Sequence, residues 1–249
     1  MRILLVNDDG YRAPGLRTLG HAMQQAGHQV IVAAPDRERS AASHSFTIQS
    51  PLRAKTFRED GLTGYAIDGT PADCARLGLF LMDNQVDFVM SGINQGANMG
   101  GACVYSGTVG AAVEAAMAGC PAMAVSLDSY VSHDFGPGAQ VALKVLDWAV
   151  GHPLGRGEIY NLNVPALPYK EILGVRAASL SPVFLGKPQY EKHVSPYGVE
   201  HYYLTDGEPV PMEDPECDFL LCQAGWATLT PITWNMVAQG GMHAPEVTL

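Results

Sequence analysis

The stretch Arg2-Ile3-Leu4-Leu5-Val6-Asn7-Asp8-Asp9-Gly10 decides how the rest of the chain is read. Ile3 to Val6 is an unbroken apolar run, as expected of a strand covered on both faces. Asp9-Gly10 alone suits a tight hairpin turn, but a hairpin needs a second strand directly after it. The next segment is helical instead: Pro14 can open a helix, Leu16, Leu19 and Met23 mark one face, and Gly27 can close it. The two carboxylates therefore sit at the carboxyl end of a strand that feeds a helix, where ligands bind in open α/β sheets. Adjacent carboxylates repel each other unless a cation lies between them. Hard oxygen donors suit Mg²⁺ or Mn²⁺.

Working outward, short apolar runs alternate with helical patterns, the signature of βαβ units around a mainly parallel sheet. Val30-Ile31-Val32-Ala33-Ala34, Phe88-Val89-Met90 and Ala122-Met123-Ala124-Val125 predict further strands, and residues 108–118 and 141–150 predict helices. Between residues 46 and 68, Ser, Thr, Arg and Gly interrupt the pattern and suggest an inserted β-ribbon. From about Pro182 the composition shifts to Pro188, Pro196, Pro209, Pro211 and Pro215 with Tyr190, Tyr197, Tyr202 and Tyr203. The expected fold is α/β: a mainly parallel Rossmann-like sheet flanked by helices, with the inserted ribbon and an extended C-terminal hairpin and tail. Residues 1–181 would form the core and 182–249 the hairpin and tail.

The charge balance narrows the partners. With 15 Lys and Arg against 25 Asp and Glu the net charge is −10, a field that repels a polynucleotide backbone and an anionic membrane. Any phosphate-bearing substrate would need a local cation. Five cysteines, an odd number with no CxxC pair, read as reduced thiols of a cytoplasmic protein. The opening strand lacks the length of a signal segment, and no apolar run reaches the roughly 18 residues that a membrane helix requires.

Three more segments carry candidate chemistry, the first two of them just beyond strand-like runs. Asp36-Arg37-Glu38-Arg39-Ser40 offers a neutral ligand oxygen at Ser40 and positive charge for phosphate at Arg37 or Arg39. Ser91-Gly92-Ile93-Asn94-Gln95-Gly96-Ala97-Asn98 is glycine-rich, and its two asparagines supply donors and acceptors without charge. Tyr105-Ser106-Gly107-Thr108 leads into an Ala-rich helix. Neither Val109 nor Ala111 can close a capping box and the first turn holds no acid, so this positive helix end is expected to be open to an external anion. Ser106 or Thr108 as a plain cap is the alternative. By contrast, Thr70-Pro71-Ala72-Asp73 has the form of a structural capping box. The eight histidines show no metal-ligand spacing, and GxGxxG, the P-loop and GxSxG are absent.

Together, Asn7-Asp8-Asp9-Gly10, Ala34-Pro35-Asp36-Arg37, Ser40, Gly69-Thr70-Pro71, Ser91-Gly92-Ile93-Asn94, Asn98-Met99-Gly100 and Tyr105-Ser106-Gly107-Thr108-Val109 resemble the SurE family of survival-protein phosphatases. Fainter echoes occur at Asn161-Leu162-Asn163-Val164-Pro165 and from Asp218-Phe219 to Thr230-Pro231-Ile232. The resemblance implies one divalent metal ion, Mg²⁺ or Mn²⁺, held by Asp8, Asp9, Ser40 and Asn94. It also implies phosphate contacts from Asn98, Ser106, Gly107 and Thr108, nucleoside monophosphates as substrates, and a homodimer or homotetramer built by exchange of hairpin and C-terminal segments. The chain departs from the family's pattern at Gly101-Ala102-Cys103-Val104, where an acid often stands, at Glu114-Ala115, where Glu-Gly is common, and at Asn235 and Gln239.

The expected chemistry is hydrolysis of a phosphomonoester by a metal-activated water, with Asp8 and Asp9 as the catalytic residues. Attack by Asp8 to form an aspartyl-phosphate stays open at this point. The rival readings are a non-catalytic nucleotide or phosphate sensor and a metal-dependent nucleotide-sugar transferase.

Overall fold

Alternate residues of the first strand feed two separate cores. In β1 (Arg2–Val6) the side chains of Ile3 and Leu5 join one apolar cluster, and those of Leu4 and Val6 join another. Period-two alternation with both faces apolar places that strand in the middle of a sheet covered on both sides. The structure, a computed structural model, describes residues 1–181, 189–205 and 211–235.

In chain order there follow α1 (Pro14–Gln25), β2 (Gln29–Pro35), β3 (Ala54–Glu59), β4 (Leu62–Ile67), α2 (Pro71–Leu81) and β5 (Phe88–Gln95). After these come α3 (Gly107–Met117), β6 (Ala122–Asp128), α4 (Gly136–Val150), β7 (Glu158–Pro165) and β8 (Val175–Ala177). The chain continues with β9 (Gln189–Val194), β10 (Glu200–Thr205), α5 (Asp218–Gln223) and β11 (Ala227–Thr233). The main sheet runs β3-β4-β2-β1-β5-β6-β7-β11-β8. Its strands from β4 to β7 are parallel, while β3 and β11 run antiparallel to their neighbours β4 and β7.

Helices α1 and α4 cover one face of this sheet through Leu16, Leu19, Met23, Val141 and Val145, and α2 and α3 cover the other through Cys74, Leu79, Val109 and Val113. Each such side chain contributes about 1.5–3 kcal/mol when fully buried. The first helix begins at Pro14 as the sequence predicts. The capping box at Thr70 also forms: its hydroxyl accepts from the Asp73 amide, and the Asp73 carboxylate accepts from the Thr70 amide.

The ribbon expected between residues 46 and 68 is the β3–β4 hairpin, and it extends the main sheet because β4 lies parallel to β2. The β9–β10 hairpin stands apart as its own two-stranded sheet. The division expected at residue 182 meets a sheet that draws on both sides of it. Composition marked the tail as Pro-rich and polar, yet β11 lies between β7 and β8. Ala227 and Leu229 join the α1–α4 core, while Thr228 and Thr230 are buried toward the other face. Pro182, Pro188, Pro209 and Gln239 lie outside the described residues.

The order of the strands determines where a site can form. From β1 the chain moves outward to β2 and β4 on one side, then crosses back to place β5 on the other side of β1. The crevice beyond the carboxyl ends of β1 and β5 is thus a topological switch point, where neighbouring connections diverge and leave room for a ligand.

Candidate functional site

The turn after β1 is built by Asn7. Its side-chain amide donates to the Gly10 carbonyl at 3.0 Å, and its side-chain oxygen accepts from the Gly10 amide at 3.2 Å. This closed turn fixes Asp8 and Asp9 side by side. The Arg39 amide donates to the Asp8 carbonyl at 2.7 Å, which ties the loop after β2 to the same place. At the end of β5 the register with β6 shifts between Ser91 and Asn94, and the irregularity brings Asn94 and Gln95 to the crevice.

A pocket of about 510 Å³ opens there. It gathers Asp8, Asp9, Ser40, Asn94, Asn98 and Ser106, six of the residues singled out from sequence, from segments far apart in the chain. Glu38, Gln95, Tyr105 and Tyr130 complete much of the wall. Among the described residues no lysine or arginine lines it. Arg37 is directed to Asp36, 3.8 Å away, and the Nε of Arg39 is buried without a hydrogen-bond partner. The sequence-based expectation that one of them faces the phosphate is therefore corrected: backbone contacts hold this loop so that Glu38 and Ser40, not the arginines, reach the crevice.

The start of α3 also differs from expectation. Ser106 is its N-cap, with the hydroxyl oxygen accepting from the Val109 amide at 3.1 Å. The helix end is not open: Asp8, from 100 positions earlier in the chain, occupies it. The Thr108 hydroxyl donates to Asp8 Oδ1 at 2.5 Å, and the Gly107 and Thr108 amides act on the same carboxyl. A methyl group on Gly107 would stand 2.9 Å from the Asp8 Cβ, so this helix start tolerates no side chain. Gly107 and Thr108 are buried behind Asp8 and do not line the pocket, whereas Ser106 does. A search for acids within the first helical turn could not detect one delivered by the fold.

Burial is the largest influence on both aspartates. It raises the Asp8 carboxyl above the usual aspartate range, against the lowering effect of the Thr108 hydroxyl and the nearby amides. Asp9 is pushed up to about 7 by burial first, then by the negative charges of Asp8 and Glu38. Three carboxylates sharing a pocket without a basic residue form an electrostatically incomplete arrangement, and the deficit is one that a cation fills.

The donor set fits a hard divalent ion. Ser40 directs its proton to Glu38 Oε1 at 2.7 Å and Asn94 directs its amide hydrogen to the Gly96 carbonyl at 2.8 Å. The oxygens of both side chains keep lone pairs for a ligand. No group of three or more His, Cys, Asp and Glu side chains with metal-holding geometry occurs among the described residues, so any cation here relies on two carboxylates with neutral oxygens.

Asn98 is held by residues to which the sequence had assigned no role. The Asn163 side chain pairs with both of its backbone polar groups, accepting from its amide at 2.8 Å and donating to its carbonyl at 3.0 Å. Asn161 donates to the same carbonyl at 2.8 Å, and the Asn98 side-chain amide donates to Ser126 at 2.8 Å. The Asn-x-Asn spacing on β7 was the available signal, since residues two apart on a strand share a face. Asp218, fully buried, accepts from the amides of Gly100, Ser181 and Phe219, and so ties the loop beyond Asn98 to α5. Nothing local in its sequence announces that role.

A second cavity, of about 250 Å³, opens at the opposite ends of β5, β6 and β7. It contains Arg156 and Glu158 but no pair of adjacent acids.

Fold and pocket together define an α/β protein with a crevice lined by oxygen donors at its switch point. Comparison with known proteins gives the particular lineage. The chain belongs to the family described as Survival protein SurE, whose family model matches residues 3–185. It is 43% identical to the 5′-nucleotidase SurE of Gloeobacter violaceus, over 97% of this chain and 93% of that one. It is 44% identical to the 5′-nucleotidase SurE of Nitratidesulfovibrio vulgaris, over 97% and 90%. The crystal structure of the SurE protein from Aquifex aeolicus superposes with a TM-score of 0.82 at 32% identity, covering 95% of each chain.

Proposed function

We propose that this chain is a 5′-nucleotidase, a phosphoric monoester hydrolase that acts on nucleoside monophosphates with one divalent ion, Mg²⁺ or Mn²⁺. The observation that carries the reading is the crevice itself: three carboxylates, several neutral donors and, among the described residues, no basic side chain. A phosphate ester can enter such a field only with a cation. The relatives named 5′-nucleotidase SurE support the same reaction class.

Asp8, Asp9, Ser40 and Asn94 would hold the ion. When bound, it supplies neutralising charge, Lewis acidity toward a phosphate oxygen and a lowered pKa for a water molecule. The other roles belong to the chain. Ser106, whose hydroxyl oxygen is occupied as a cap acceptor, keeps its hydrogen for a phosphate oxygen. Asn98 keeps one side-chain amide hydrogen after its bond to Ser126. These two donors stabilise the equatorial oxygens as charge spreads in the transition state. Gly107 and Thr108 act one step back by holding Asp8. Asp9 is the more accessible acid and is placed to orient the attacking water and accept its proton. The fixed, 5% exposed Asp8 suits a ligand better than a nucleophile.

Five free thiols suit a reducing cytoplasm, and among the described residues no helix is long and apolar enough to cross a membrane. The exposed Tyr190, Tyr197, Tyr202 and Tyr203 of the β9–β10 hairpin support assembly into a homodimer or homotetramer.

Exhaustive chelation should abolish turnover of AMP, and Mn²⁺ or Mg²⁺ should restore it. An undiminished rate in chelator refutes the metal-dependent reading. Binding of AMP without hydrolysis of any phosphate ester points to a sensor instead.

A further inference from the structure

Two large aromatic side chains at the rim of the pocket have no part in this chemistry. Tyr105 is 55% exposed and Tyr130 is 80% exposed, and both line the crevice that contains Asp8 and Asp9. Each sits on a backbone held from several sides. Tyr105 follows the 3-10 turn Gly100–Val104, and its carbonyl accepts from the Ser43 amide at 3.1 Å while the Ser43 hydroxyl donates to the Val104 carbonyl at 2.7 Å. Tyr130 is presented by a turn that Ser129 closes, its hydroxyl oxygen accepting from the amides of Val131 and Ser132. Gln95 anchors the same turn by donating to the Tyr130 carbonyl at 2.9 Å. The Tyr130 ring lies across the backbone of Gly96, where an added methyl group would come within 2.4 Å of it. Gly96 therefore makes a flat seat for the ring.

The geometry points to a nucleoside-binding rim: Tyr105 and Tyr130 hold the base of the substrate by stacking, so that the enzyme prefers nucleotides to aliphatic phosphates yet discriminates weakly among bases. This inference rests on the nucleotidase reading above and specifies how that site recognises its substrate. A tyrosine on a held backbone has only two side-chain torsions to fix on stacking, and every base offers a π-face. Reading base edges requires free directional donors and acceptors. The rim amide best placed for that, Gln95, has its donor group committed to the Tyr130 turn. Neutral donors for phosphate and two aromatic side chains that line one pocket of about 510 Å³ match a nucleoside monophosphate in chemical character.

The test is steady-state kinetics with AMP, GMP, CMP, UMP, ribose 5-phosphate and glycerol 2-phosphate on the full-length metal-loaded protein and its Tyr130→Ala, Tyr130→Phe, Tyr105→Ala and Tyr105→Phe variants. Each alanine variant should lower the ratio of kcat/KM for AMP over glycerol 2-phosphate by about tenfold, mainly through KM. The phenylalanine variants should keep the ratio, and the four nucleotides should differ from one another by less than either alanine effect. A ratio unchanged in both alanine variants overturns the rim, as does a phenylalanine variant as impaired as its alanine counterpart. A change in oligomeric mass with no change in the ratio shows that the rings cover a protomer contact, and overturns it too. A wild-type protein that hydrolyses glycerol 2-phosphate but no nucleotide refutes the nucleotidase reading instead. Equilibrium binding of AMP against ribose 5-phosphate to the same variants then still tests the rim.

Discussion

Asp8 and Asp9 at the end of β1 and Glu114 in the middle of α3 are all acids removed largely from water, yet the chain treats them in opposite ways. Glu114 faces His44 Nε2 at 2.8 Å and accepts from Arg76 Nε at 2.6 Å, and these partners, His44 first, hold its carboxyl below the ordinary glutamate range despite burial. Among the described residues the two aspartates have no basic partner, and burial leaves both above the ordinary aspartate range. An acid that the fold has paired serves the fold. An acid kept buried and short of positive charge is a cost that must be offset by something that binds.

The largest expected effect separates these two cases. Asp9→Asn should reduce kcat/KM for AMP by about a thousandfold, because the function proposed above gives this one carboxylate both a share of the cation and the proton of the attacking water. In chelator the same variant should be at least as stable as wild type, since it removes an uncompensated charge. A thermal shift on adding Mn²⁺ should appear in wild type and disappear in Asp9→Asn. A variant that keeps both the shift and the activity would erase the distinction between the two kinds of buried acid.

Next in size is Asn163→Ala, which probes support rather than contact. Asn163 satisfies both backbone groups of Asn98, and losing it frees that residue to leave the position from which we propose it binds phosphate. We expect kcat to fall about 10–100-fold and stability to fall by about 1–3 kcal/mol, because the Asn98 amide stays buried without its partner. Asn163→Gln tests whether reach matters: full activity in that variant would show that Asn98 needs no such exact hold.

How much of the molecule is legible in its sequence depends on the range of the contact. The strand–loop–helix order and the buried helix faces lie within a few residues of each other, so the period of apolar positions revealed them. Asp8 and Asp9 were legible because they follow a strand, and strand ends converge in a parallel sheet. Ser40 and Asn94 joined them as one ligand set only through the family resemblance, and the fold brings all four to one crevice. Three features depended on contacts across the whole chain and were not legible. Asp8 reaches the start of α3 across 100 positions, Asp218 reaches Gly100 across 118, and β11 returns to pair with β7 after the exposed hairpin. Local composition described the tail as polar. It could not show that Thr228 and Thr230 would be buried against the strand that carries Asn161 and Asn163.

The smallest effect is a difference in the direction of pH dependence. Glu114 has a folded-state pKa below its ordinary value of 4.5, so the unfolded chain takes up protons first as the pH drops. Its stabilisation is complete above that ordinary value and is lost as the pH falls through the lower folded value. Glu114→Gln should therefore cost about 1–2 kcal/mol at neutral pH, and the gap to wild type should close as the pH falls below 4.5. Asp9 in the metal-stripped protein should behave oppositely. Its pKa is raised from 3.8 to about 7, so the folded chain holds the extra proton and loses stability as the pH climbs through that interval. Asp9→Asn should accordingly gain on wild type between those two values. Urea midpoints measured across both ranges, in chelator, read the two slopes directly. Slopes of the same sign would mean that the strand-end acids are as well compensated as Glu114, and the crevice would then have no electrostatic need for a cation.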